Sequence, residues 1–201
     1  MANEGDELIP TKASLLGRLK NSKDQASWQE FFDTYSSLIY GVARKAGLSG
    51  DGAKDVLEAT MDSVAELLPT FKYDPELGSF KSWLQRIIRL QIISHTLKRR
   101  PSHGAPSRET TVVESDPSGK TLDQLLESEW KTNLLNAAVA NVKRRLDPKK
   151  YQIYDLQANK QLAPEKIAPL MGMSVNEITA AKQDIAEMIQ AEVKRLEEKM
   201  I

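Results

Sequence analysis

The sequence predicts an all-α protein: two helical domains joined by a flexible linker, the second ending in a helix-turn-helix. Three observations carry this. Apolar residues recur at i, i+3, i+4, i+7 rather than alternating. Runs of alternating β-branched residues are missing. Residues 101–120, PSHGAPSRETTVVESDPSGK, hold three prolines, two glycines and several Ser and Thr with no helical period. The expected division is a tail and lead-in over 1–22, a helical domain over 23–100, a linker over 101–120 and a helix-turn-helix domain over 121–201.

In the first domain, Trp28, Phe31, Phe32, Tyr35, Ile39 and Val42 follow the helical rule, with the helix start capped near Ser27 and Glu30 three residues on. Val56, Leu57, Met61, Val64, Leu67 and Leu68 make a second helix that Pro69 stops. A third should run from Ser79 to Arg100, with Pro101 just beyond. Wound at 100° per residue, it puts Phe80, Trp83, Leu84, Ile87, Ile88, Leu90 and Leu97 on one face, with Ser82, Gln85, Arg86, Arg89, Thr96 and Arg100 opposite. The linker reaches about 65 Å fully extended and about 25 Å as a coil. Helices resume after Thr121, which forms a capping-box pair with Gln124. Leu122, Leu125, Leu126, Leu134, Leu135, Val139, Val142 and Leu146 form the next stripe, and a shorter helix follows from Pro148 to Asn159. The last two helices meet at Met171–Gly172–Met173–Ser174. Ser174 and Glu177 predict a helix that begins at Val175 and runs to the C-terminus.

Composition removes several classes of function. Lys plus Arg and Asp plus Glu are each 28, so the chain is neutral overall and is no globally basic coat protein. With no cysteine there is no disulfide framework, thiolate metal site or cysteine nucleophile. His95 and His103 are the only histidines. No Gly-rich phosphate loop, Ser-His-Asp set or HExxH run occurs. Asp51, Asp55, Glu58 and Asp62 along one helix read as a solvated face rather than a metal site. The expectation is a non-enzyme with no cofactor and no metal. The polar, acidic start and the lack of a long apolar run predict a cytoplasmic protein with no membrane span.

Charge is segregated despite the neutral total. Between Leu77 and Arg108 there is no acid, yet Lys81, Arg86, Arg89, Lys98, Arg99, Arg100 and Arg108 all fall there. Cations on one helix face suit phosphate contact. Phe71, Tyr73, Phe80 and Trp83 interleave with them and offer rings on which single-stranded bases stack. From Glu109 to Glu129 the balance reverses, with six acids against Lys120, so this acidic stretch is placed to mask the basic helix. Further on, Leu162, Ile167, Leu170, Met173, Val175, Ile178 and Ile185 would fill the corner of a helix-turn-helix with Gly172 at its turn. Asn176, Glu177, Thr179, Ala180, Lys182 and Gln183 would then face a major groove.

The order of these parts resembles the extracytoplasmic-function (ECF) branch of the bacterial sigma-70 family, over about residues 26–100 and 122–195. Trp28 to Arg44 (WQEFFDTYSSLIYGVAR) is similar to the family's first conserved region. Gly52 to Met61 (GAKDVLEATM) is similar to a D-A-E-D-V-x-Q-E-V-F pattern through Asp55 and Val56. Phe71-Lys-Tyr-Asp, Ser79-Phe-Lys-Ser-Trp-Leu and Arg86-Ile-Ile-Arg89 resemble its F-R-G-W-L-x-R-I-x-R-N run, with Leu90 in place of the Asn. Leu146-Asp-Pro-Lys-Lys-Tyr-Gln-Ile-Tyr resembles L-P-P-R-x-R-x-V-F, and Gly172-Met-Ser-Val resembles the turn before the recognition helix. The resemblance implies a transcription initiation factor that partners core RNA polymerase and promoter DNA, both as duplex and as melted single strand. It implies polymerase contacts at Asp55, Glu58 and Asp62. Contacts to the minus-ten element fall on Lys72, Tyr73, Lys81, Trp83, Arg86, Arg89, Arg99 and Arg100. Contacts to the minus-thirty-five element fall on Ser174, Asn176, Thr179, Lys182 and Gln183. An anti-sigma protein is a further implied partner. The alternative is a sigma-like regulator that binds polymerase or an anti-sigma partner without reading promoters.

Overall fold

The segment expected as a lead-in contributes to the core. In the computed structural model, which describes residues 13–21, 23–71, 79–98 and 121–199, α1 (Ala13–Leu19) buries Leu15, Leu16 and Leu19. Helix α2 (Gln25–Lys45) follows, and its N-cap is Asp24 rather than Ser27. The Asp24 carboxylate accepts from both the backbone N–H and the hydroxyl of Ser27, which satisfies one of the free donors of the first turn. The same two bonds hold the Asp24 carboxyl below its usual range. Helix α3 (Gly50–Leu67) is capped by Ser49 and runs into a single 3₁₀ turn, Leu68–Thr70, that contains Pro69. Among the described residues there is no strand.

Helix α4 (Phe80–Lys98) buries Phe80, Leu84, Ile87, Ile88, Ile92 and Thr96. Leu90 and Leu97, expected on the inner face, are 58% and 53% exposed. Both stand about 180–200° around the helix from Ile88, whereas Ile92 and Thr96 lie within about 80° of it. Thr96 tolerates burial because its hydroxyl donates to the Ile92 carbonyl at 2.8 Å.

Helix α5 (Leu122–Arg145) starts at the expected capping box, with Thr121 N–H donating to Gln124 at 3.0 Å and Gln124 N–H donating back to Thr121 at 3.3 Å. Within this helix the described residues divide into two compact units, one ending at Asn133 and the other starting at Leu134. The first unit thus takes in residues 121–133, which the sequence reading puts in the second domain. The reason is packing. Leu122, Leu125, Leu126 and Trp130 are buried in one core with Phe31, Tyr35, Leu84 and Ile88. The Tyr35 ring lies 4.8 Å from Phe31, 6.0 Å from Phe80 and 5.8 Å from Trp130. That burial pushes the Tyr35 phenol well above its ordinary pKa. A Cβ on Gly41 of α2 would sit 2.7 Å from Glu129 Oε2 of α5, so the glycine leaves room for that carboxylate. Glu129 is buried there and forms an ion pair with Lys45.

The second unit comprises the rest of α5, α6 (Pro148–Tyr154) with its π turn Asp155–Asn159, α7 (Pro164–Met171) and α8 (Val175–Lys199). A small corner core joins Ile153, Ile167, Ala168, Ile178 and Ala181. A buried carboxylate ties α5 to α8: Glu192, 2% exposed at its side chain, accepts from Arg145 at 2.6 Å, Asn141 at 3.0 Å and Arg195 at 2.5 Å. The Arg195 hydrogen bond, with Arg145 and Asn141 after it, lowers the Glu192 pKa from 4.5 to about 2 against the opposing effect of burial.

Two outcomes are expected. Trp130→Ala should cost the first unit about 3–5 kcal/mol, as aromatic deletions in cores do, measured by urea unfolding followed by circular dichroism. A loss below about 1 kcal/mol would place the start of α5 outside that core. Glu192 has its pKa depressed on folding, so its contribution is full above the unfolded value of 4.5 and fades as pH falls toward about 2. Glu192→Gln should therefore destabilise the chain by about 3 kcal/mol at neutral pH, and the gap from wild type should close across that acid window. A gap that does not change with pH would contradict the assigned role.

Candidate nucleic-acid interface

Helix α4 presents its cations because its apolar row is fully engaged inward. Phe80 anchors the first turn at 6.3 Å from Phe31 and 6.1 Å from Phe71. Trp83 is half-buried, 4.8 Å from Phe71 and 5.4 Å from Phe80, so its ring belongs to this cluster. With that face fixed, Arg86 and Lys98 project as exposed side chains, and Lys81 and Arg89 are half-buried. Ser82, Gln85, Arg86 and Arg89 line a cleft of about 340 Å³ on the outer side of the helix. A phosphate or a base edge placed there would meet two guanidinium groups, which bind phosphate oxygens in pairs. Lys72, Tyr73, Arg99 and Arg100 lie outside the described residues.

Two of these cations already have partners. Arg89 forms an ion pair with Asp123, and Lys81 with Glu127 at 2.6 Å. Lys81 also stands over the Trp130 ring, 5.7 Å from its centroid. The hydrogen bond from Lys81 holds the Glu127 carboxyl below its usual range. Each pair is partly solvated and worth about 0–1 kcal/mol, so the apolar anchors of α5 supply most of the binding. The sequence marks the acidic stretch as a whole and does not single out Asp123 and Glu127; their signal is the i, i+4 spacing of two acids on the helix next to the linker.

On α3, Asp55, Glu58 and Asp62 are all exposed. Their spacing of three, then four residues puts them on one side of the helix. His95 of α4 reaches this side, its Nε2 3.3 Å from Asp55 Oδ2 and its Nδ1 buried without a hydrogen-bond partner. Among the described residues no group of three or more His, Asp or Glu is arranged to hold a metal ion, and no helix is long and apolar enough to cross a membrane.

In the second unit the turn between α7 and α8 is made by Gly172, whose φ of +61° is a left-handed cap that suits glycine. Ser174 and Glu177 form the expected reciprocal cap, with Ser174 N–H donating to Glu177 at 2.8 Å and Glu177 N–H donating to Ser174 at 3.2 Å. Those Ser174 bonds keep the Glu177 carboxyl below its ordinary range. Ile167 and Ile178 fill the corner, but Leu170 is 66% and Val175 38% exposed, because they stand outside the narrow contact the two helices share. Ser174, Asn176, Thr179, Lys182 and Gln183 are all exposed, with Gln183 donating to Glu187 at 2.9 Å. Asp184 is engaged by Lys150 of α6 at 3.0 Å.

Residues 31–101 match the family model described as sigma-70 region 2. No curated protein matches the chain by sequence. A solved structure similar to this chain is that of CnrH, described as in complex with the cytosolic domain of CnrY. It is 16% identical, covers 90% of this chain and 96% of that one, and has a TM-score of 0.36. The segment from within α2 through α4 therefore matches sigma-70 region 2 by sequence.

Proposed function

We propose that the chain is a transcription initiation factor of the ECF branch that binds core RNA polymerase and directs promoter recognition and melting. The observation that carries the reading is the outer face of α4 within the sigma-70 region 2, where Arg86 and Arg89 flank a cleft beside the Trp83 aromatic cluster. On this reading the first unit holds the melted minus-ten strand, with phosphates on Lys81, Arg86 and Arg89 and a base against the half-buried Trp83. Lys72, Tyr73, Arg99 and Arg100 extend that surface. The exposed acids Asp55, Glu58 and Asp62 dock on the polymerase. The end of α8 that carries Asn176, Thr179, Lys182 and Gln183 meets the minus-thirty-five duplex. Bond formation belongs to the polymerase, so the chain itself is no enzyme. It works in the cytoplasm, and an anti-sigma protein is its regulatory partner.

One observation favours the second reading, a sigma-like regulator that does not read promoters: Lys182 is the only basic residue from Val175 to Val193. Against it, the two acids on that stretch nearest the turn have local tasks, Glu177 in the helix cap and Asp184 in an ion pair with Lys150. Transcription from a pool of promoter fragments with bacterial core polymerase separates the two. New start sites that appear only with this protein and share upstream elements are the expected result. Arg86→Ala with Arg89→Ala should then lower open-complex formation at least tenfold while core binding changes less than about twofold. Co-elution with core and no new start sites would favour the regulator.

A further inference from the structure

The first turns of α5 occupy the face of α4 that a nucleic-acid strand would need. Asp123 and Glu127, one helical turn apart, meet Arg89 and Lys81. Trp130 places its ring under the Lys81 ammonium. Leu122, Leu125, Leu126 and Trp130 hold the segment in the core. Gly41 of α2 leaves the space in which Glu129 pairs with Lys45. Four side chains of this segment thus engage cations of α2 and α4, while Arg86 stays exposed beside them.

We infer that Asp123 and Glu127, on the first turns of α5, are a built-in cover that occupies the strand-binding face of α4 in the free protein, and that their side chains must be displaced from Lys81 and Arg89 for a single strand to bind there. The inference rests on the proposed function of α4. The carboxylates stand where phosphate oxygens would, so acid side chains and strand are mutually exclusive at Lys81 and Arg89. The two ion pairs are suited to reversal while the apolar anchors stay in the core. They are partly solvated, and a strand that replaces them releases counterions, which favours the displaced form at low salt. Because the cover is part of the same chain, it competes at a high effective concentration whatever the protein concentration.

The test uses the full chain and a short fluorescein-labelled single strand, with binding read by anisotropy across a salt series. Asp123→Asn with Glu127→Gln removes the acid contacts and leaves the apolar anchors intact. Asp33→Asn with Glu66→Gln makes the same change in net charge at exposed sites on α2 and α3 that take no part in these contacts. The first variant should bind about three- to tenfold more tightly than wild type, with a steeper salt dependence as Lys81 and Arg89 become available. The second should change affinity less than about twofold. Equal affinities for wild type and both variants, with Arg86→Ala still weakening binding, would overturn the cover and leave the role of α4 standing. No binding by any of them would overturn both.

Discussion

The contact between Tyr35 of α2 and the rings around it sets the orientation of everything the first unit presents to solvent. Phe31 and Phe80 pack against Tyr35 from two helices, and Trp130 closes it from a third. Fixing Phe80 fixes the rotation of α4, and that rotation sends Arg86 outward and turns Ile88 and Ile92 inward. Fixing Trp130 fixes the rotation of α5, and with it the side on which Asp123 and Glu127 stand. The ion pairs with Arg89 and Lys81 follow from two helices held in register by apolar packing. Aromatic pairs of this kind add about 1 kcal/mol each beyond the area they bury, more than the partly solvated ion pairs they position.

Much of this was legible in the sequence because most helices carry their own signals. The apolar periods of α2 and α3, the Thr121–Gln124 and Ser174–Glu177 caps and the stop at Pro69 are local, and the structure has each of them. What escaped was not local. Asp24 and Ser27 are both good cap residues three positions apart, and only the backbone shows that Asp24 takes the cap while Ser27 donates to it. Leu15, Leu16 and Leu19 sit in a helix too short to declare a period. A broad apolar arc around α4 takes in Leu90 and Leu97, whereas the buried row is narrow and advances by about four residues. The stripe on α5 is continuous, so periodicity shows one helix and cannot show that residues before and after Asn133 serve different cores.

The candidate site was half legible for a similar reason. The run without acids from Leu77 to Arg108 marks the cationic face from sequence alone. Which of those cations are already engaged depends on pairs such as Arg89 with Asp123, whose members are far apart in the chain. In the second unit the same limit works in the opposite direction. Glu177 and Asp184 look, in sequence, like negative charge set against a nucleic acid. In the structure Glu177 caps its own helix and Asp184 meets Lys150, so neither is a free charge.

A neutral chain that engages a polyanion has to concentrate its cations, and concentrated cations repel one another and attract non-specific nucleic acid. Placing acids within the same unit answers both problems. Asp123, Glu127 and Glu129 satisfy Arg89, Lys81 and Lys45 without raising the net charge of the chain. On the proposed function the arrangement would favour partners that supply phosphates at several points together, because one isolated anion gains less by displacing a tethered carboxylate than a strand gains by displacing them in series. Selectivity for a held, extended strand over scattered anions would then come from the fold of region 2 and the first turns of α5 acting together, before any base is read.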